Sequence, residues 1–534
     1  MRLKQYMTLG LIASSLAFGS CSKFLDVETE SHVVDKDIIS DKRNLNAYIL
    51  ELYKNWRDAH KDRVTMYMGT DEAVLGGVQW RDNNDRRGIE NYLDGMNSTN
   101  GAILNTYKNR FLVAQRAADI IGLLVPEEAS NDAETNRYLA ELCILRAINH
   151  FELTQLFGEI PLADELQNLG ARQSLETVYK HIEADLTLAA KYLPEPGDSD
   201  LDPRRATTAL AQAMLGKLYL YAPEASGMRS YEKAAEQFKL IYENPYFGGK
   251  GASDFSSLFD VSKQGSADYK QEIIYAFQFN NVSGDNNSIQ WDFGSRAVTD
   301  LTSTEAVALF AGFDAMMPSE YAYKDQADGG LWEEGDVRKD QSIRYDFVWE
   351  GKTPTLETGY RWGDELDPHV KKFEDPRILE QNLSVYYSGK NLAFIRFADV
   401  VLNYAECLYH LGQQGEAIDM INDIVRTRAF GGTLPADKRW DTGMGEEEFM
   451  TKLMDERMRE LCFEGWRKMD LIRTGKLKEY VEARNRWVMG LWNGKPMDGV
   501  SKTSIEDFRL LWPMPLDELR QNPELNEGDQ NPGY

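Results

Sequence analysis

A mainly α-helical protein, built as an irregular scaffold of tetratricopeptide-like helix pairs with a loop-rich part containing short strands, is predicted by three features of the sequence. Apolar residues recur at three- and four-residue spacing over most of residues 44–192 and again from 397 to about 487. Two segments repeat one plan of helix, small-residue turn and helix. Between them, residues 248–389 lose all periodicity and fill with Gly, Asn, Asp and aromatics.

Taken from the N-terminus, Arg2 and Lys4 precede an apolar run from Met7 to Phe18, followed by Gly19, Ser20 and Cys21. That arrangement predicts a signal peptide over residues 1–20. The run is shorter than the roughly 20 apolar residues that span a bilayer, and small residues before a cysteine resemble the lipobox of bacterial lipoproteins. Cys21 is therefore the expected lipidation site, although Phe18 stands where Leu is usual, and any membrane attachment is expected through the lipid alone.

The helical part begins with Asn44. Ala140, Cys143, Ile144 and Ala147 share one helical face, as do Val178, Ile182, Leu186 and Ala189. Next, AQAMLGKLYLY passes through PEASGMRS into YEKAAEQFKLIYEN. Later, VVLNYAECLYHLG passes through residues 413–415 into EAIDMINDIVRTRA. Both read as helix hairpins of tetratricopeptide type, although the strict 34-residue period is missing. EIIYAFQF and NLAFIRF, within and just after the aperiodic middle, read as strands. The chain ends in a Pro-rich stretch, LLWPMPLDELRQNPELNEGDQNPGY, which predicts an extended tail.

Composition narrows the function. Lys and Arg number 60 against 86 Asp and Glu, a net charge of -26, so phosphate backbones and anionic lipid surfaces are repelled and nucleic acid is excluded as a partner. Apart from Cys21, the cysteines Cys143, Cys407 and Cys462 are odd in number, lack CxxC spacing and sit in apolar helical patterns; they read as buried thiols rather than disulfides or zinc ligands. The six histidines form no HExxH, and neither GxSxG nor GxxxxGK[ST] occurs. Asp82, Asn84 and Asp85 resemble part of a calcium loop, but Arg86 and Leu93 stand where further ligands belong. No metal or cofactor is expected, while a carboxylate pair for glycoside hydrolysis stays open, because 86 acidic residues supply many pairs and only their spacing in three dimensions decides.

Several segments in order, SKFLDVETE after Cys21, ELCILRAINHFELTQLFGEIPL (141–162), LETVYKHIEADLTLAAKYLP, RATTALAQAMLGKLYLY, IRFADVVLNYAECLYHLG, INDIVRTRA, ERMRELCFEGWRKMDLIRTG and QNPGY, resemble the SusD/RagB family over nearly the whole chain. The resemblance implies a nutrient-binding lipoprotein on the outer membrane, exposed at the cell surface. It implies a SusC-like TonB-dependent transporter as partner, a glycan or oligosaccharide as ligand, and no catalysis. The implied division is 21–245, an N-terminal SusD-like helical region, and 246–534, a C-terminal region. A surface glycoside hydrolase or a protein-binding helix-repeat adaptor are the alternatives.

In ERMRELCFEGWRKMDLIRTG, Glu456, Arg457, Glu460, Glu464, Arg467 and Asp470 interleave with apolar residues, which predicts charge pairs gripping a buried helix. Sugars offer C–H faces to aromatic rings and hydroxyls to amides or carboxylates. Trp80, with Asp82 and Asn83 in GGVQWRDNNDRRG, is the first candidate for such a surface, and the resemblance also implies a glycan-stacking aromatic in this region. Trp291, Trp332, Tyr360 and Trp362, from the aperiodic middle, are the further candidates.

Overall fold

The computed structural model describes residues 41–61, 64–76, 83–124, 132–163, 170–198, 200–282, 284–294, 312–313, 315–344, 368–377, 388–486, 491–492, 495–496 and 505–534. Contacts divide the chain into residues 1–45, of which 41–45 are described, and a unit of residues 46–534. Cys21 and the 1–20 segment lie outside the described residues. Among those described, no helix is long and apolar enough to cross a membrane.

The fold is mainly helical, as expected. Its frame is a run of helices: α1 (Lys42–Lys61), α2 (Asn84–Asn91), α3 (Gly101–Leu124), α4 (Ala133–Phe157), α5 (Leu175–Tyr192), α6 (Thr208–Tyr221) and α7 (Tyr231–Tyr242). From α3 onward each helix lies against its successor. Local chemistry starts them. Asp132, Ser174 and Ser230 accept backbone N–H groups at the first turns of α4, α5 and α7, satisfying donors that a helix start leaves open. The first hairpin closes tightly at Gly216, where a Cβ would meet the Phe238 ring of α7 at 2.4 Å.

The second hairpin, α8 (Phe397–His410) and α9 (Gln414–Met420), extends this stack: α8 packs directly on α7. Residues 243–396 thus leave the stack and re-enter it. Within that excursion, β2 (Ile273–Phe277) pairs antiparallel with β6 (Leu392–Arg396), where EIIYAFQF and NLAFIRF predicted strands. β1 (Ala73–Leu75), which precedes the excursion, pairs with β3 (Met316–Pro318) inside it, and β4 (Ile343–Arg344) pairs with β5 (His369–Val370) within it.

The interleaved charges are buried as predicted, on α10 (Glu446–Leu461) and α11 (Arg467–Arg473). Glu456, Glu460 and Glu464 are met by Arg338, Arg396, Arg426, Arg428, Arg459 and Lys372. Arg467 holds both oxygens of Asp71 at 2.7 and 2.6 Å, and Arg457 bridges Asp399 and Asp470. Each of the six interleaved charges, taken out of water, finds an opposite charge, without which its burial would be strongly unfavourable. Cys143, Cys407 and Cys462 are free and buried.

The tail departs from the expected extended form. Residues 507–510, 516–521 and 527–529 form short helical turns. It is fastened to α4 by Asn531, whose Nδ2 donates to the Phe157 carbonyl (2.9 Å) and also to the Trp512 carbonyl of the tail (2.7 Å), and by the Trp512 backbone N–H, which donates to the Leu156 carbonyl.

Candidate functional site

An open polar cleft of about 290 Å3 runs between α1 and the starts of α2 and α3. Asp58 lines it from α1, and Thr65 from the turn that follows. Asn83 stands at its rim as the residue capping α2, with Oδ1 accepting the Arg86 N–H at 2.9 Å. Asp85 Oδ2 accepts the Gly101 N–H at 2.9 Å, so the acid at the start of α2 also caps α3. Asn100 Nδ2 donates to the Asp85 and Gly95 carbonyls and locks the two starts together. Asn105 and Asn109, one turn apart, present exposed amides from the wall formed by α3.

Beneath this wall the charges are settled. Arg110 Nε donates to Glu152 Oε2 at 2.7 Å, and His60 Nε2 lies 2.8 Å from Oε1. Burial alone would raise the Glu152 carboxyl, but His60 and Arg110 outweigh it and hold it down to about 2. Asp58 is ion-paired with Lys54 and Arg57, each at 3.3 Å.

The candidates sort into three groups. Asn83 lies on the cleft. Trp80, Asp82, Tyr360 and Trp362 lie outside the described residues, but both ends of the 77–82 segment are fixed. One end leaves β1, whose Leu75 stands opposite Met316 of β3; the other reaches Asn83. Because the pairing is antiparallel, the chain leaving β1 and the chain entering β3 from Phe313 emerge at one end of this sheet. Phe313 stacks on Trp291, with ring centroids 6.4 Å apart and planes at 18°, and donates its N–H to the Trp291 carbonyl at 2.7 Å. Trp291 is half-buried. Two residues on, Phe293 packs edge-on against Tyr67, which follows the cleft residue Thr65. The sheet and this contact tie the Trp291 turn to the elements that frame the cleft.

Trp332 is a correction. It is 1% exposed, and its indole N–H donates to the Ala322 carbonyl at 2.6 Å; both faces are covered, so it offers no surface for a sugar to stack on. Its Gly-rich flanks suggested an open loop, whereas the ring turns inward. Sequence reading missed Phe313, Asn105 and Asn109. An Asn pair at i,i+4 on the polar face of an amphipathic helix was the available signal, and it is a weak one. Among the described residues, no group of three or more His, Cys, Asp or Glu side chains is placed to hold a metal ion.

Fold and site together define an irregular helix-repeat scaffold with an open, amide-lined cleft. The sequence profile described as the SusD family matches residues 260–534, and one described as "Starch-binding associating with outer membrane" matches residues 23–220. The chain belongs to the SusD family. It is 24% identical to SusD-like protein P38 of Formosa agariphila over 98% of both chains. Among solved structures, a SusD homolog from Bacteroides thetaiotaomicron superposes with a TM-score of 0.76 at 23% identity, over 95% of this chain and 100% of the other. Surface glycan-binding protein A from the same species, in complex with laminarihexaose, superposes with a TM-score of 0.71 at 17% identity, over 92% and 99%.

Proposed function

We propose that this chain is a non-catalytic, lipid-anchored glycan-binding protein on the outer-membrane surface, which captures oligosaccharide and passes it to a SusC-like TonB-dependent transporter. The observation that carries the binding role is the cleft. The amides of Asn105 and Asn109, which no other described group engages, line it, and Asn83 stands at its rim. Amides serve sugar hydroxyls, and aromatic rings serve sugar C–H faces. Family membership and the laminarihexaose complex of the structural neighbour support a glycan as ligand. The family description naming the outer membrane supports the location, and acylation of Cys21 in GSC supplies the anchor.

Binding of a polysaccharide and oligosaccharide panel, with Trp80→Ala and Trp291→Ala alongside, tests the capture role. Selective binding that either variant loses while keeping its melting curve is the expected result. Release of reducing ends from any bound polysaccharide would replace capture by hydrolysis. Co-purification after mild solubilisation tests the transporter, and recovery of the protein alone where other outer-membrane complexes survive would remove that part.

A further inference from the structure

Asn105 and Asn109 project one helical turn apart from the exposed side of α3 into the cleft, and no other described protein group engages either amide. Side chains at this spacing have Cβ atoms roughly 5–6 Å apart. Each primary amide offers two donors and a carbonyl acceptor. The pair is therefore equipped to give and accept hydrogen bonds along one edge of a pyranose ring, where hydroxyls also act as both donor and acceptor.

The ionised groups around these amides are already committed. Arg110 is bound to the buried Glu152, and Arg86 is engaged within the protein. Asp58 is held by Lys54, Arg57 and Lys61, and Asp85 by the start of α3. Recognition of a sugar carboxylate or sulfate calls for a guanidinium free to make paired hydrogen bonds, and the Arg110 guanidinium lining the cleft is already paired with Glu152. An anionic sugar would also approach two carboxylates on a chain of net charge -26.

We propose that Asn105 and Asn109 are hydroxyl-reading residues and that the cleft selects neutral glycans over uronate- or sulfate-bearing ones. This rests on the glycan-capture reading above and names the ligand class within it.

The test uses the full-length protein in mild detergent. Binding to laminarin, soluble starch, xyloglucan and galactomannan is compared with binding to polygalacturonate and heparin, at low and high salt. Asn105→Ala, Asn109→Ala and Trp291→Ala are measured beside the wild type, each with a melting curve. The expected result is binding to a neutral polysaccharide, insensitive to salt, that weakens roughly 3- to 10-fold in each Asn variant, the size of one lost hydrogen bond. Melting should not change, because both side chains are exposed. Neutral binding lost in Trp291→Ala but untouched in both Asn variants would overturn the assignment of the amides and leave glycan capture standing. Tighter, salt-sensitive binding of polygalacturonate or heparin would overturn the selection for neutral glycans alone. Binding of no polysaccharide at all would overturn both this inference and the capture role.

Discussion

The Arg396 guanidinium and the Glu464 carboxylate meet in a two-pronged contact, Nε to Oε2 at 2.7 Å and Nη2 to Oε1 at 2.9 Å. Arg396 is shared with Glu460 and Glu272, at 2.9 and 2.8 Å, and Glu464 with Lys372 at 2.9 Å. Truncating either partner leaves the other charged and dry. Glu464→Ala is expected to cost roughly 3–5 kcal/mol of stability and, wherever the variant is folded, to leave glycan affinity unchanged. Denaturant unfolding and binding measured side by side decide it. A native unfolding curve with lost binding would contradict the structural role.

Acid should reach this core through Glu460. Burial pushes its carboxyl upward, but Arg428, Arg396 and Arg338 outweigh burial and hold it at about 2, below the 4.5 of an ordinary exposed glutamate. A depressed folded pKa contributes stability that is complete above pH 4.5 and is lost as pH falls from 4.5 to 2, on the order of 3 kcal/mol. Relative to wild type, Glu460→Gln should therefore be most destabilised near neutrality, with the gap closing below pH 4. Parallel melting curves across that range would refute it.

Glu72 behaves in the opposite sense. Burial pushes it up to about 8, although Oε2 accepts the Phe463 N–H at 3.0 Å; Oε1 has no hydrogen-bond partner among the described residues. With the folded pKa above 4.5, the carboxyl's contribution is whole below pH 4.5 and fades as pH rises to 8. Glu72→Gln, which keeps an acceptor and cannot ionise, should gain in Tm over wild type between pH 5 and pH 8. An unchanging Tm difference would show that Glu72 is already ionised.

Lys468 is buried with Nζ 3.5 Å from the Thr65 carbonyl and over the Trp512 ring, and burial pushes it down to about 7. Its unfolded form holds its proton up to about 10.5, so the penalty for burying it is largest below pH 7 and vanishes above 10.5. Lys468→Met is expected to raise stability at pH 7 by roughly 1–4 kcal/mol, with less gain at pH 10. A drop in stability at both pH values would show that the ammonium holds the structure around Thr65.

Two tryptophans of the aperiodic middle should separate cleanly. Trp332→Ala empties a filled site and should cost about 3–5 kcal/mol. Trp291→Ala, at a half-buried ring, should alter melting little while lowering glycan affinity roughly tenfold. Equal losses of stability in both would place Trp291 in the core.

The helices were legible because burying one face imposes a period: Val178, Ile182, Leu186 and Ala189 are all buried on α5. The alternation of acids and bases around Glu456 was also visible. Its partners were not, since Arg338 and Arg396 come from 118 and 64 residues away from Glu456 and Glu460, and no local pattern marks them. Trp332 was misplaced for a similar reason: its partner, Ala322 O, is supplied by chain folding back. Asn105 and Asn109 look in sequence like any solvated helix face. Only the folding of α2 and the Thr65 turn opposite them makes a cleft. In the tail, prolines suggested extension, but Pro515 precedes a helical turn at Leu516–Gln521, and proline's fixed φ suits a helix start.

The grip of Asn531 on the Phe157 carbonyl joins residues 374 positions apart. At roughly 5–20 residues per second of synthesis, that separation is about 20–75 s of elongation. Through all of it the end of α4 has been made, but the strap that closes it has not. The N-terminal helices pack with this seam open until Asn531 has been made. A truncation shortly before Asn531 should therefore leave a protein that makes nearly all its helices and yet stays a substrate for chaperones and proteases.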